Sequence, residues 1–311
     1  MCPICENNYQ GLKVLRCSYC PLLTEIPNIK GLEKLCCCDC PLLTQIPNID
    51  GLKELECSGC PLLTEIPNIE GLKELECFNC PLLTQIPNII GLKRLVYSFC
   101  PLLNQIPNID YLRELDCYGC PSLTQIPNIV GLKRLFCFNC PSLTQIPNIE
   151  GLENLHFSCC PLLTQIPNIV GLKELHCYFC PLLTQIPDIH GLKELRCSCC
   201  PLLTQIPNII GLEDLSCSYC FSLTQIPNIV GLKDLHFSFC PFLNHPQNLD
   251  FNSNLQKVLI LQKIVKKYFP IWLLKRYVKT KEFVEWFYSP ENYGGFKNKK
   301  RLEKFFNTIG N

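Results

Sequence analysis

Cysteine is the residue type that offers most chemistry in this chain. The 311 residues include 27 cysteines, and the spacing Cys-x-x-Cys occurs nine times in a repeated segment and once more at Cys2 and Cys5. Paired Cys-x-x-Cys spacing is typical of zinc sites, because thiolates bind Zn²⁺ with tetrahedral geometry. In a small secreted protein, many cysteines would instead indicate disulfides. The arrangement of the cysteines along the chain distinguishes between zinc binding and disulfide formation.

Most of the cysteines belong to a block of 20 residues, GLKELECSGCPLLTEIPNIE in residues 51–70. The block recurs twelve times from Gly11 to Asp250 without insertion or deletion. Leu occupies the second and fifth positions of every copy, and Cys occupies the tenth. The seventh position is Cys in nine copies and aromatic in Tyr97, Phe157 and Phe237. A fixed short period indicates a solenoid, in which stacked copies bury one continuous core.

Each half of the repeat predicts a different backbone. Leu-x-x-Leu-x-Cys alternates as a short strand does, with the fifth and seventh residues pointing inward. Two prolines per copy exclude a long helix or a central strand from the second half, so we expect an extended or short 3₁₀ arm there. Leu63, Ile66 and Ile69 of that arm supply the opposite wall of the core. The sequence therefore predicts a parallel β-sheet backed by irregular segments.

The motif Leu-x-x-Leu-x-Cys-x-x-Cys-x-x-Leu-x-x-Ile-Pro resembles a leucine-rich repeat, with Cys where that repeat usually carries Asn. The near-identical copies resemble the leucine-rich repeat proteins of giant, mimivirus-type viruses. So does the segment Ile271–Tyr288, which is followed by Ser-Pro-Glu-Asn-Tyr-Gly-Gly. The resemblance implies an α/β-type horseshoe, with a parallel sheet on its concave face and extended or 3₁₀ segments on its convex side. It also implies that the protein binds other proteins.

The cysteine columns favour packing over metal binding. Of the 27 cysteines, 21 lie at the seventh and tenth positions. The seventh position is aromatic in three copies, and an aromatic side chain can fill a core but cannot replace a cysteine as a metal ligand. No position of the repeat carries a column of histidines that could supply further metal ligands. We expect free thiols that pack as small hydrophobes, with no metal in the repeats and no cofactor. The other six are Cys2, Cys5, Cys36, Cys38, Cys159 and Cys199. A lone Cys2-x-x-Cys5 motif is weak and leaves metal or redox use open.

The outward positions of the strand segment, taken as the fourth, sixth, eighth and ninth residues, vary between copies. Early copies carry carboxylates there, which fit either a solvated face or a site for a basic partner. Later copies carry aromatics and histidines; these fit a binding hot spot, or rings that stack on one another at the loop edge. We predict a partner-binding face made of Glu54, Glu56, Glu74, Glu76, Phe78, Glu114, Asp116, Tyr118, Phe136, Phe138, His156, His176 and Tyr178.

The repeats carry no pattern typical of catalysis. A Gly-rich phosphate loop, a Ser-His-Asp arrangement and a His-Glu-x-x-His motif are all missing from the sequence. His156 and His176 occupy the same position of adjacent copies, but two imidazoles alone make a weak metal site. We therefore predict a protein that is not an enzyme and has no small-molecule substrate.

The repeat pattern stops after Asp250, and the charge changes sign. Residues 251–311 carry 13 Lys and Arg against 4 Glu, a net charge of +9, whereas residues 1–250 have a net charge of −8. Helices are predicted from Asn254 to about Phe269, from Ile271 to Tyr288 and from Lys299 to Asn307. Open solenoids need a cap, so we assign residues 251–311 to a basic helical cap, residues 1–10 to an amino-terminal cap and residues 11–250 to the repeats.

The first ten residues show no signal-peptide pattern, and no apolar stretch reaches the length of a membrane span. We expect an intracellular protein in a reducing compartment, which is the host cytoplasm or the virion if the protein is viral. The predicted function is non-catalytic protein binding through the concave strand face. Alternatives are a self-associating structural component, an adaptor whose tail recruits a second partner, and thiolate metal storage. The tail's basic residues leave nucleic-acid or membrane-surface binding as weaker readings.

Overall fold

The computed structural model describes residues 2–227 and 229–240, which form two compact units. The first unit comprises residues 2–142 and 147–152, and the second comprises the remaining described residues. Each unit is a parallel β-solenoid in which one 20-residue copy makes one coil. The helices predicted between residues 254 and 307 lie outside the described residues. The described part of the chain contains no helix, and hence none long and apolar enough to cross a membrane.

The strands occupy the same place in every coil. In the first unit they are β1 Val14–Arg16, β2 Lys34–Cys36, β3 Glu54–Glu56, β4 Glu74–Phe78, β5 Arg94–Ser98, β6 Glu114–Tyr118 and β7 Arg134–Phe138. In the second unit they are β8 Asn154–Ser158, β9 Glu174–Tyr178, β10 Glu194–Ser198, β11 Asp214–Ser218 and β12 Asp234–Ser238. Within each unit, consecutive strands pair in parallel with a register of 20 residues, so that Leu95 lies opposite Leu75 and Leu115. Identical positions therefore form columns across the sheet.

The core consists of the columns that the sequence predicted. Leu and Cys at the fifth, seventh and tenth positions are buried throughout the first unit, and Leu63, Ile66 and Ile69 form the opposite wall as expected. The proline-containing half is extended with turns, and in the described residues it forms no 3₁₀ helix. Two prolines per copy remove the backbone donors that such a helix would use, which explains why the extended alternative prevails.

Each coil reverses direction at two residues in the left-handed region. The first position has a positive φ in every coil, with Gly in eleven coils and Tyr111 in one. The ninth position also has a positive φ in every coil, including Phe99, Phe179, Tyr219 and Phe239. The sequence analysis placed the ninth position on the strand, but it lies in the turn that follows. Aromatic residues there are strained, because a Cβ atom disfavours the left-handed region.

Thiols at the tenth position form a hydrogen-bonded ladder inside the core. Sγ of Cys40 donates to the carbonyl oxygen of Cys17 at 3.0 Å, and Sγ of Cys60 donates to that of Cys37 at 3.1 Å. In the second unit, Sγ of Cys220 donates to the carbonyl oxygen of Cys197 at 3.1 Å. Each thiol thus satisfies a buried backbone carbonyl of the preceding coil, which is the type of role an amide side chain could fill.

Burial also makes thiols in the interior of the columns, such as Cys37 and Cys57, unsuitable as metal ligands. Burial raises the pKa of Cys37 and of Cys57 far above the ordinary value for a thiol. A cysteine binds metal as the thiolate, so a raised pKa disfavours ligation. This supports the expectation that the inner columns pack as small hydrophobes.

Tyr97 replaces a cysteine of the seventh column and brings a buried hydroxyl into the core. Its side chain is 1% exposed, and its hydroxyl has no hydrogen-bond partner among the described residues. A buried polar group without a partner loses its hydration without compensation.

We expect Tyr97→Phe to raise the free energy of unfolding by roughly 1 kcal/mol, because the ring stays and the unsatisfied hydroxyl leaves. Urea denaturation of the full chain measures this. Tyr19→Phe is the matched control, since Tyr19 is 79% exposed and should tolerate the change without effect. A lower stability of Tyr97→Phe would contradict the expectation.

Candidate functional site

The acidic residues predicted for the binding face lie on the outward side of β3, β4 and β6 in the first unit, where basic side chains pair with them. Arg94 on β5 forms an ion pair with Glu76, and its Nε atom lies 3.4 Å from Oε1 of Glu114. Nη1 of Arg94 is 4.0 Å from Oε2 of Glu74. Exposed pairs of this kind contribute about 0–1 kcal/mol each.

The same face contains two further ion pairs. Nζ of Lys34 is 2.5 Å from Oε2 of Glu54, and Nη2 of Arg134 is 3.0 Å from Oε2 of Glu114. Burial, and the neighbouring charge of Glu114, raise the pKa of Asp116. Cations on neighbouring strands therefore pair with Glu54, Glu74, Glu76 and Glu114. Three cations against six carboxylates leave this face with a net negative charge.

Four aromatic residues of the first unit form what we call the aromatic cluster: Phe99, Tyr118, Phe136 and Phe138. The ring centroids of Phe99 and Tyr118 are 4.8 Å apart in an edge-to-face arrangement. The centroids of Tyr118 and Phe138 are 6.4 Å apart, and those of Phe136 and Phe138 are 6.5 Å apart with nearly parallel rings. The rings on the strands are half-buried, and Phe99 is exposed. Stacking holds an apolar surface in place while part of each ring contacts solvent.

In the second unit, His156 and His176 lie side by side on β8 and β9. Their ring centroids are 3.8 Å apart, and the rings are nearly parallel. The ring of Tyr178 lies 6.0 Å from that of His176 in an edge-to-face arrangement. Nε2 of His176 is 2.8 Å from Oε1 of Glu194. Burial, together with the adjacent His176, lowers the pKa of His156 to about 4.

The residues predicted as one binding face thus fall into groups with different properties. Tyr118, Phe136 and Phe138 come together, as do His156, His176 and Tyr178. Phe78 is half-buried on β4, outside the aromatic cluster. The fold places every predicted residue at an outward strand position.

Sequence reasoning missed an exposed apolar column at the twelfth position of the repeat. We call it the leucine strip: Leu22, Leu42, Leu62, Leu82 and Leu102, on consecutive coils of the first unit. These side chains are 40–75% exposed, whereas the leucines that follow them directly in the sequence are buried. Extended backbone points adjacent side chains in opposite directions, and that alternation was the available signal.

Two groups of potential metal ligands lie in the first unit, and sequence spacing alone did not assemble either. One consists of Cys2, Cys5 and Cys20, and the other of Cys36, Cys38 and Glu56. In each group, all ligand atoms lie within 4.8 Å of one another. In the second group, Sγ of Cys36 lies 3.7 Å from Sγ of Cys38, which in turn donates to Oε1 of Glu56 at 3.4 Å. Among the described residues, the histidine pair belongs to no such group of three.

Two solved structures resemble the chain at low similarity. The leucine-rich repeat domain of the type III effector XopL is 19% identical with a TM-score of 0.38, and the match covers 75% of this chain and 79% of that domain. A leucine-rich repeat protein from Bacteroides ovatus is 18% identical with a TM-score of 0.33, with coverage of 75% and 79%. Both scores are too low to support an inference about function. No protein-family model and no curated protein matches the chain.

Proposed function

We propose that this protein is a non-catalytic module that binds a protein partner through the outward face of its strands. The observation that carries the proposal is the aromatic cluster of the first unit, because partly exposed aromatics on rigid strands are rare unless a partner covers them. Rigid strands also reduce the entropy lost on binding. The leucine-rich repeat resemblance of the sequence implies the same use.

Aromatic rings are the side chains that most often dominate interface energies. Phe136 and Phe138 have nearly parallel rings on one strand, and Tyr118 lies beside Phe138 on the next. Such a surface fits a partner with apolar or aromatic side chains of its own. The carboxylates around Arg94 then form a polar border beside the aromatic cluster.

A second candidate surface is the leucine strip, since five exposed leucines at one repeat spacing form a continuous apolar line. A partner bound there would contact the proline-containing half of the coils. The two surfaces predict different effects of substitution and can be compared directly.

The test is a quantitative pull-down from the cells that produce the protein, with immobilised full chain as bait. An aromatic-cluster variant (Phe136→Ser with Phe138→Ser) is compared with wild type and with a leucine-strip variant (Leu62→Ser with Leu82→Ser). Circular dichroism and urea denaturation confirm that each bait is folded. Purified wild type and variants are then titrated with the recovered protein.

We expect the aromatic-cluster variant to lose at least about 30-fold in affinity, which corresponds to a hot-spot loss of about 2 kcal/mol. The leucine-strip variant should bind as wild type does. The reverse pattern would assign binding to the strip, and equal binding by all three would contradict both surfaces. A separate Tyr178→Ser variant tests the predicted residues of the second unit.

Several finer assignments remain proposals that rest on the sequence. We propose a reducing compartment, because the inner columns consist of free thiols. The viral origin rests on the resemblance of the repeats and the tail.

An adaptor role predicts that the full chain holds two partners at once and that removal of residues 251–311 releases only one. Self-association predicts sedimentation that depends on concentration in the purified protein alone.

A further inference from the structure

We propose that the amino-terminal end of the first unit binds a zinc ion through the thiolates of Cys2, Cys5 and Cys20. This inference is independent of the partner-binding proposal. Sequence spacing leaves metal use at Cys2 and Cys5 open, because one Cys-x-x-Cys pair cannot complete a site. The fold changes that assessment, because it brings a third thiol from the first coil to the same place.

The geometry of the three thiols suits zinc. Sγ of Cys5 lies 3.4 Å from Sγ of Cys20, and all three sulfurs lie within 4.8 Å of one another. Tetrahedral coordination with Zn–S bonds of about 2.3 Å requires sulfur atoms about 3.8 Å apart. Small side-chain rotations would therefore bring the three sulfurs into coordination. Cys2 and Cys20 are buried and Cys5 is exposed, so the fourth position of the ion can be taken by water from the side of Cys5.

The backbone of the amino-terminal segment holds two of the ligands in position. The N–H of Glu6 donates to the carbonyl oxygen of Cys2 at 3.2 Å, and the N–H of Asn7 donates to that of Ile4 at 3.0 Å. These bonds fold residues 2–7 into a tight turn, so that both thiols of the Cys-x-x-Cys pair face Cys20. Preorganised ligands lower the entropy cost of binding an ion.

Cys20 differs from the other thiols of its column. In the next two coils, the thiols of Cys40 and Cys60 each donate to a carbonyl oxygen of the preceding coil. In the first coil, the sulfur of Cys20 faces the sulfur of Cys5 instead. The end of the ladder thus presents a cluster of three thiols where the interior presents hydrogen bonds.

Bound zinc would attach the amino-terminal segment to the first coil. Each thiol releases its proton to solvent as its Zn–S bond forms, so no oxidant or reductant takes part. The ion would then hold residues 2–7 against the thiol column of the first coil. The ion would fix the amino-terminal segment in place, with Zn²⁺ favoured because three thiolates bind it well.

The experiment measures the metal content of the full chain, purified under reducing conditions without chelator, by inductively coupled plasma mass spectrometry. Zinc titration monitored by thermal unfolding follows. The variants are Cys5→Ser, which removes an exposed thiol, and Cys5→His, which restores a zinc ligand. Cys159→Ser is the matched control, because Cys159 also lies outside the inner columns but belongs to no group of potential ligands among the described residues.

We expect one zinc ion per wild-type chain at this site, a loss of one ion in Cys5→Ser, partial retention in Cys5→His and no loss in Cys159→Ser. Added zinc should raise the unfolding temperature of wild type more than that of Cys5→Ser. Three results would overturn the proposal: wild type that takes up no zinc, equal zinc content in wild type and Cys5→Ser, or a Cys5–Cys20 disulfide in protein taken directly from reducing cells.

Discussion

Replacing Phe157 with alanine is expected to lower the free energy of unfolding by about 3–5 kcal/mol, the largest effect of any single substitution considered for this protein. Phe157 lies on β8 at the seventh position of its coil and is 0% exposed. Its backbone lies opposite Cys177 of β9, so the ring extends the inward column of the second unit. Alanine would leave a cavity that neighbouring strands, tied at a fixed register, cannot close.

The measurement is urea denaturation of the full chain, combined with hydrogen exchange of the amides in β8 and β9. In a solenoid each coil contacts only its neighbours, so protection should be lost locally before it is lost elsewhere. Phe78→Ala is the matched control, because Phe78 occupies an outward strand position and is half-buried. We expect it to cost clearly less than Phe157→Ala. Equal losses would show that the seventh column is not the packed core that the fold indicates.

Acidification is expected to destabilise the protein through His156. Burial and the adjacent His176 lower the pKa of His156 to about 4, from an ordinary value near 6.5. Between pH 6.5 and about 4 the unfolded chain therefore binds a proton that the folded chain does not. The free energy of unfolding increases with pH wherever the unfolded state holds more protons. Stability should accordingly fall as the pH decreases through this window.

The expected loss in the free energy of unfolding from His156 is about 2–3 kcal/mol, because each unit of pKa difference corresponds to 1.36 kcal/mol. The lower part of this range allows for solvent screening, since the side chain is 19% exposed. Glu174 and Glu194 partly offset the shift, since their carboxylates favour the protonated ring. Thermal unfolding at pH 7.5, 6 and 4.5 measures the effect. The first value lies about one unit above the window, the second lies within it and the third lies near its lower end.

His156→Gln should remove most of this pH dependence, because glutamine does not titrate. His190→Gln is the matched control, since His190 is exposed in a turn and should leave the dependence unchanged. If His156→Gln retained the full dependence on pH, other groups would be responsible for it.

The repeat determined the local structure of this protein. Leu at the second and fifth positions and Cys at the seventh and tenth recur without a gap, so strand position, strand register and the identity of the buried columns follow from periodicity alone. Two prolines per copy likewise excluded helix from the other half of each coil. These features are local, because each coil repeats the same backbone path.

Only the tertiary structure decided which side chains meet. The acidic residues looked like one charged stripe, but Arg94, Lys34 and Arg134 pair with them from neighbouring strands. The ninth position looked like strand, but it adopts a left-handed turn conformation that the identity of Phe99 or Tyr219 does not reveal. Alternation indicates that Leu62 and Leu63 face opposite sides, but which of the two faces the core depends on how the irregular segment crosses it.

The amino-terminal thiols show the same division most clearly. Sequence spacing pairs Cys2 with Cys5 and places Cys20 in a packing column. Both descriptions are correct for the local sequence around each residue. The tight turn of residues 2–7 brings the pair against Cys20, the tenth-position thiol of the first coil. Spacing along the chain determines which residues can be neighbours within a coil. Contacts between residues 2–7 and the first coil depend on the path of the folded chain, so only the tertiary structure shows them.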